Sequence, residues 1–163
     1  MDLSFRAENS YFCYRVGAII IHKNRLLMAT NPNVDFYYTI GGRVAFGESS
    51  VEALHREIKE ELGICLEIDH LAFVNEYFYR IGKEKIPAHE IGLYYSMKDD
   101  AALNSLPSHF EDGIYDNTLR WIPLDELERQ HIYPEFLATL LPLKDKQIQH
   151  IISCFNEQYV CKE

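Results

Sequence analysis

Hydrophobic and polar positions alternate along much of the chain in a way that predicts β-strands. Residues 11–22 (YFCYRVGAIIIH) mix aromatic and β-branched residues and predict a strand that becomes buried, while residues 25–29 (RLLMA) predict a second strand after a turn. Two longer strands are predicted over residues 66–80 and 88–97. Shorter strands are predicted over residues 36–40 and 119–122.

One central segment has helical periodicity instead. Its apolar residues recur three and four positions apart and form one stripe of a helix, which Ser49 or Ser50 can cap and Gly63 can end. The stripe consists of Val51, Leu54, Ile58 and Leu62. Further helices are predicted over residues 123–127, 134–141 and 145–158, the last of them amphipathic. Strands around one helix, followed by more helices, favour an α/β sandwich over a helical bundle or an all-β fold.

The composition limits the partners that the chain is expected to bind. A length of 163 residues predicts one domain, residues 1–163, with a core that needs no disulfides. The formal net charge of −9 argues against a surface for duplex nucleic acid, which requires clustered basic residues. It leaves small anionic ligands open, because a metal ion can lie between acidic side chains and a phosphate.

The ends and the cysteines predict a cytoplasmic protein. The first ten residues (MDLSFRAENS) are polar, unlike a signal peptide, and no apolar run is long enough to span a membrane. The cysteines form no CxxC pair and are expected to be free, inert thiols. They are Cys13, Cys65, Cys154 and Cys161.

The predicted central helix concentrates negative charge beside its apolar stripe. Glu57 and Glu61 lie along the flank of the stripe, and Glu60 lies one step further round. Like charges at this spacing repel each other by roughly 0.2–0.5 kcal/mol per pair. Clustered carboxylates suit Mg²⁺ or Mn²⁺, which prefer hard oxygen ligands. From the helix alone, a solvated acidic face explains the pattern equally well.

The residues before the helix favour the metal site. Gly41 and Gly42 follow a predicted strand and allow the backbone to approach a ligand closely, and Glu48 adds a carboxylate at the start of the helix. With the helix, residues 42–64 match every fixed position of the Nudix box, and the sequence resembles a Nudix hydrolase. The matching residues are Gly42, Glu48, Arg56, Glu57, Ile58, Glu60, Glu61, Gly63 and Ile64.

The resemblance implies a fold, a reaction and a set of roles. It implies an α/β/α sandwich with a central mixed sheet, in which the box forms a loop–helix–loop. It also implies hydrolysis of a nucleoside diphosphate linked to another moiety, with Mg²⁺ or Mn²⁺ as cofactor. Glu57, Glu60 and Glu61 would be metal ligands, together with the Gly41 or Gly42 carbonyl. Arg56 would orient a neighbouring glutamate, and Glu48 would complete the acidic cluster.

A general base outside the helix is also expected from the resemblance. Glu111 and Asp112 are the preferred candidates, because they lie in the acidic loop before the late tryptophan-containing strand. Asp116 in the same loop and Glu90 on the preceding strand are alternatives. A solvated loop charge is the competing interpretation for each one.

Substrate selection is expected outside the box. Tyr38 and Tyr79 belong to aromatic runs that could stack on a base, although core packing also explains aromatic residues in strands. Arg43 and Arg80 could contact phosphate. The partner is therefore expected to be a small nucleotide of unspecified kind. A second copy of the chain could also pack on the amphipathic C-terminal helix.

A Nudix-like domain that binds nucleotide as a sensor without turnover is the alternative function. Such a domain would be expected to lose box carboxylates, and this chain keeps them all.

Overall fold

The computed structural model describes residues 1–113 and 115–154, which form two mixed β-sheets and a few helices. The strands are β1 (Ser4–Ala7), β2 (Ser10–Ile19), β3 (Ile21–His22), β4 (Arg25–Thr30), β5 (Tyr37–Tyr38), β6 (Ile68–Ile81), β7 (Ile86–Met97), β8 (His109–Asp112), β9 (Tyr115–Pro123), β10 (Ile132–Tyr133) and β11 (Gln149–Cys154). The α-helices are α1 (Ser50–Leu62) and α2 (Leu137–Leu140), and 3-10 helices cover Ala101–Ser105 and Leu124–Arg129.

Both sheets combine parallel and antiparallel pairs. The first has the strand order β1–β2–β7–β6–β11, with β2 parallel to β7 and β11 parallel to β6. The second has the order β10–β5–β4–β9–β8, with β3 paired to β4. The α/β fold class with mixed sheets is therefore confirmed.

The helix α1 packs its apolar face against strand β2. Leu54 and Ile58 are fully buried in a cluster that also contains Val16 and Ala18 of β2. Val51 was predicted on the same stripe but is 40% exposed, because it lies in the first helical turn, beyond the edge of the core. The acidic helix is thus fixed to the first sheet through its apolar face.

The predicted helix over residues 145–158 is wrong. Residues 149–154 form β11, which runs parallel to β6 and alternates between partly buried and exposed side chains. Apolar residues in this short segment fit a period of two as well as a helical stripe, and pairing with the edge of β6 decides between them. Residues 155–158 lie outside the described part of the chain. The proposed dimer surface on this helix is therefore not present in that form.

Two other segments also differ from expectation. The polar N-terminus contains β1, which pairs with β2, and the acidic segment with Glu111, Asp112 and Asp116, predicted as a loop, forms β8 and the start of β9. β1 and β8 lie at sheet edges, where polar side chains are tolerated and the hydrophobic pattern is weak.

The cysteines only partly follow the prediction. Cys13 is buried and free, and Cys65 is exposed and free. Cys154 is disulfide-bonded, contrary to the expectation of a free thiol. Cys161 lies outside the described residues. Among the described helices, none has the length and apolar character required to cross a bilayer.

Candidate active site

Both ends of α1 are defined by the residues that the sequence suggested. The Ser49 hydroxyl accepts a hydrogen bond from the Glu52 backbone N–H, and the Glu52 carboxylate accepts one from the Ser49 N–H, at 2.8 Å. Gly63 ends the helix in the left-handed conformation, with φ of 72°. The predicted capping box and glycine stop are confirmed, and they fix where the glutamates of α1 point.

The glycine pair holds the preceding loop between β2 and α1. Gly41 has φ of 137°, and a Cβ there would lie 2.3 Å from the Val16 carbonyl oxygen. A Cβ on Gly42 would lie 2.3 Å from Oε1 of Glu57. Only glycine allows the backbone to pass this close to both the sheet and the carboxylate.

Arg56 connects three of the box glutamates. Its guanidinium donates two hydrogen bonds to Glu48, from Nε at 2.8 Å and from Nη2 at 3.0 Å. Nη1 donates to Glu57 at 2.7 Å and to Glu60 at 3.2 Å. Nη2 also donates to the Arg43 carbonyl at 3.1 Å, which joins the guanidinium to the loop. This fork geometry matches the orienting role expected of Arg56.

The same contacts shift the pKa values of the Arg56 network. Hydrogen bonding from Arg56 lowers the pKa of Glu48 below its usual range, with help from the Ala45 backbone N–H. The bond to Glu48 in turn raises the pKa of Arg56. Glu48 and Arg56 therefore form a fixed ion pair at the mouth of the helix.

Glu61 points away from Arg56 and is only 9% exposed. Its carboxylate accepts a hydrogen bond from the Gly41 N–H at 3.0 Å. Burial, together with the negative charges of Glu57 and Asp112, raises the pKa of Glu61 to about 8, against the lowering effects of the Gly41 N–H and of Arg15. Burial also raises the pKa of Glu57, despite its bond to Arg56. This part of the site contains more negative charge than its protein neighbours neutralise.

The chemistry of this cluster fits a divalent cation. No three carboxylates, histidines or cysteines within residues 1–113 and 115–154 converge closely enough to form a ready-made metal site. Glu57 and Glu60 are drawn towards Arg56 while Glu61 bonds to Gly41, so the three predicted ligands are neighbours with different partners. Hard carboxylate oxygens with unneutralised charge are the ligands that Mg²⁺ and Mn²⁺ prefer.

The two glycine carbonyls differ in their availability. The Gly42 carbonyl accepts a hydrogen bond from the Val16 N–H at 2.9 Å and so joins the loop to β2. The Gly41 carbonyl has no donor among the described residues.

The candidate general bases lie in different surroundings. Asp112 follows buried Phe110 by two positions on β8, so both side chains point to the same face of the strand. Its charge acts on Glu57 and Glu61. Glu111 points to the opposite face and is paired across the hairpin with Asp116. The structure therefore brings Asp112 near the acidic cluster, and the neighbouring carboxylates face elsewhere.

A cavity of about 660 Å³ lies beside this cluster. Three of the predicted substrate contacts line it, namely Tyr38, Tyr79 and Arg80. Arg43 does not line it, since its side chain is half exposed and lies 3.7 Å from Asp2. Val16 lines the cavity and donates its N–H to the Gly42 carbonyl, and the charges of Glu61 and Asp112 add to burial in raising the pKa of Tyr38. Cavity and cluster are thus adjacent.

Among the charged cavity residues that were not predicted as substrate contacts, two lie on the first sheet. Arg15 of β2 and Glu90 of β7 both line the cavity, and Glu90 is 2% exposed. Glu90 was an alternative general base, but its neighbours are the tyrosines of the cavity rather than α1. The position of Arg15 could have been inferred from the alternation of side chains along a strand. Cys13, Arg15 and Gly17 share one face of a buried strand, so the charged side chain among them points into the protein.

A comparison with protein families agrees with the fold. The model of the NUDIX domain matches residues 12–143. The chain belongs to the Nudix family of hydrolases, as the sequence resemblance indicated.

Individual relatives are similar over parts of the chain. The curated 8-oxo-dGDP phosphatase NUDT18 of Danio rerio is 35% identical over 104 residues, which are 61% of this chain and 32% of that protein. The chain thus spans about a third of that relative's length.

Solved structures share the fold at low identity. The MutT protein of Bacillus halodurans aligns with a TM-score of 0.70 and 16% identity, over 91% of this chain and 93% of that one. The MutT Nudix hydrolase of Burkholderia pseudomallei aligns with a TM-score of 0.60 and 24% identity, over 78% of this chain and 95% of that one.

Proposed function

We propose that this domain hydrolyses a phosphoanhydride bond in a nucleoside diphosphate linked to another moiety, using a Mg²⁺ or Mn²⁺ ion held by Glu57, Glu60 and Glu61. The observation that carries the proposal is Glu61, a buried carboxyl group whose ionised form is disfavoured by burial and by the charges of Glu57 and Asp112. A divalent cation would supply the missing positive charge.

The glycine loop would add a backbone ligand. Of the two candidate carbonyls we assign that of Gly41, because the Gly42 carbonyl is already bonded to β2. The Gly41 N–H meanwhile holds Glu61 in place. Arg56 would keep Glu57 and Glu60 on the helix face that the phosphates approach, and Glu48 would hold Arg56.

The reaction adds water across a P–O–P linkage. The water oxygen forms a bond to one phosphorus, the bond from that phosphorus to the bridging oxygen breaks, and a proton passes to a carboxylate. When bound, the ion neutralises the pyrophosphate and lowers the pKa of the attacking water. We assign the proton acceptor to Asp112, since its charge acts on Glu57 and Glu61.

The adjacent cavity would hold the rest of the substrate. Its volume of about 660 Å³ lies in the range of small-molecule sites, and Tyr38 and Tyr79 offer aromatic surface for a base. The relative from Danio rerio is named for activity on 8-oxo-dGDP, which supports a nucleoside diphosphate as substrate class.

Two further expectations belong to this proposal. The whole chain, residues 1–163, is taken as a single domain. A cytoplasmic location is supported by the free thiols of Cys13 and Cys65, whereas the disulfide-bonded Cys154 argues against it.

A substrate panel tests the proposal. Purified protein is incubated with 8-oxo-dGDP, nucleoside triphosphates, ADP-ribose, NADH and dinucleoside polyphosphates, each with Mg²⁺, with Mn²⁺ or with chelator. We expect cleavage of at least one compound with metal and none with chelator. Full activity in chelator contradicts the metal site. Binding of a nucleotide without turnover of any compound favours the alternative of a sensor domain.

A further inference from the structure

Glu90 presents an unsatisfied acceptor to the cavity. The residue is 2% exposed, and its Oε1 accepts a hydrogen bond from the Tyr133 hydroxyl at 3.1 Å. Among the residues that the structure describes, the Tyr133 hydroxyl is the one hydrogen-bond donor to the Glu90 carboxylate, so its other oxygen has none. A carboxylate buried to this extent requires further donors, and the cavity is where they can come from.

Arg15 presents unsatisfied donors beside it. In the register between β2 and β7, Cys13 lies opposite Glu90 and Arg15 opposite Gly92, so Arg15 and Glu90 are diagonal neighbours on one sheet face. The Arg15 guanidinium makes neither a hydrogen bond nor an ion pair within 4.0 Å to any described residue. Donor and acceptor are therefore held side by side without satisfying each other.

Aromatic side chains flank this charged pair. Tyr77 and Tyr79 stack with ring centroids 4.7 Å apart and an interplanar angle of 17°. The ring centroid of Tyr133 lies 5.3 Å from that of Tyr77, and Tyr133 also lines the cavity. Flat walls around a polar floor suit a flat ligand with donors and acceptors along its edge.

We propose that Glu90 and Arg15 select guanine by its base edge. Guanine offers two neighbouring donors, N1–H and the 2-amino group, to one carboxylate, and it offers O6 as an acceptor to a guanidinium. This inference rests on the proposed function, since it names the base of that substrate.

The other bases satisfy this pair less completely. Adenine and cytosine offer a single amino group, so the second oxygen of Glu90 stays unpaired. Uracil and thymine offer one N–H between two carbonyls, one of which would face the carboxylate. A phosphate at this position is disfavoured because Glu90 would repel it.

Equilibrium binding of nucleoside diphosphates tests the inference without any turnover. The unmodified protein is titrated calorimetrically with dGDP, dADP, dCDP and dIDP. We expect dGDP to bind at least about tenfold more tightly than dADP and dCDP. We also expect dIDP to bind about tenfold more weakly than dGDP, because hypoxanthine lacks the 2-amino group that Glu90 would accept.

Variants assign the preference to Glu90. We expect Glu90→Gln to weaken dGDP binding by about tenfold to a hundredfold and to leave dADP binding nearly unchanged. The matched control is Glu84→Gln, in the exposed turn between β6 and β7, which should bind both as the unmodified protein does. A thermal unfolding scan checks that Glu90→Gln is folded, and the dIDP comparison needs no variant.

Three results would overturn the guanine assignment. The first is an equal affinity for dGDP and dADP, and the second is an equal affinity for dGDP and dIDP. The third is a loss of affinity in Glu90→Gln that is as large for dADP as for dGDP. The last outcome would mean that the carboxylate contacts the sugar or supports the fold. A guanine preference without hydrolysis of any panel compound would refute the proposed function alone, and hydrolysis without a guanine preference would refute this inference alone.

Discussion

At the scale of single residues, the site depends on a carboxylate that is destabilising in the metal-free protein. In the proposed reaction Glu61 would hold a metal ion beside the phosphates, and its position buries it within range of the charges of Glu57 and Asp112. Its ionised form gains one backbone hydrogen bond, from Gly41, which does not offset the loss of water. The ionised Glu61 therefore lowers the stability of the metal-free protein, and under the proposed function a bound cation would offset this cost.

The raised pKa of Glu61 predicts that the stability of the protein in chelator depends on pH. The folded pKa, about 8, lies above the ordinary value of 4.5, so between these values the folded state holds a proton that the unfolded state releases. The contribution of Glu61 to the free energy of unfolding is complete below pH 4.5 and falls by about 1.4 kcal/mol per pH unit as the pH rises towards 8.

Urea unfolding between pH 5 and 8 checks this dependence. We plot the free energy of unfolding against pH. Glu61→Gln cannot ionise, so we expect its slope to be flatter than that of the unmodified protein by the amount that roughly one bound proton contributes. Glu84→Gln, an exposed carboxylate, should keep the original slope. Identical slopes for Glu61→Gln and the unmodified protein would mean that Glu61 does not titrate in this range.

At the scale of elements, the loop before α1 carries the most restrictive backbone. Gly41 and Gly47 both have positive φ, of 137° and 80°, but their surroundings differ. A Cβ on Gly41 would meet the Val16 carbonyl oxygen at 2.3 Å, whereas nothing lies within 4 Å of a Cβ on Gly47.

The two glycines therefore form a matched pair of variants. Gly47→Ala should cost about 1 kcal/mol of unfolding free energy, because only the backbone conformation is unfavourable. Gly41→Ala should lower the free energy of unfolding by clearly more than this, because the loop must move away from β2. It should also reduce the rate of hydrolysis, because the hydrogen bond from the Gly41 N–H to Glu61 is then lost. Denaturant unfolding of both variants measures this, and equal losses would contradict the close approach as the reason for Gly41.

The elements also show what local sequence can predict. The capping box at Ser49 and the stop at Gly63 involve neighbours in the chain, so the bounds of α1 could be predicted. The strand β11 could not be predicted in this way, because its conformation depends on pairing with β6. In that pairing Gln149 lies opposite Phe73, more than seventy positions earlier in the chain. Local sequence patterns therefore predict those elements whose stabilising contacts join residues close together in the chain.

At the scale of the whole molecule, two charged residues far apart in the sequence become neighbours. Arg15 and Glu90 meet because β2 and β7 run parallel in one register. A shift of one residue in this register would place the two side chains on opposite faces of the sheet. Their inward direction could be inferred from strand parity, but their proximity depends on sheet order, which a single sequence does not specify.

The proximity of the cavity to the acidic helix is likewise a property of the assembled fold. The loop from Ile40 to Val44 bonds to β2, and β2 also provides Arg15 to the cavity. In the proposed complex, one strand would therefore position both the phosphate end and the base end of the substrate.

The most direct test of the account is the initial rate of phosphoanhydride hydrolysis at saturating Mg²⁺ in Glu57→Gln compared with the unmodified protein. Metal-assisted stabilisation of the transition state is worth several kcal/mol, so we expect the rate to fall at least about a hundredfold while thermal unfolding shows an intact fold. Glu84→Gln serves as the matched control and should keep the original rate. An unchanged rate in folded Glu57→Gln would contradict a metal site on α1.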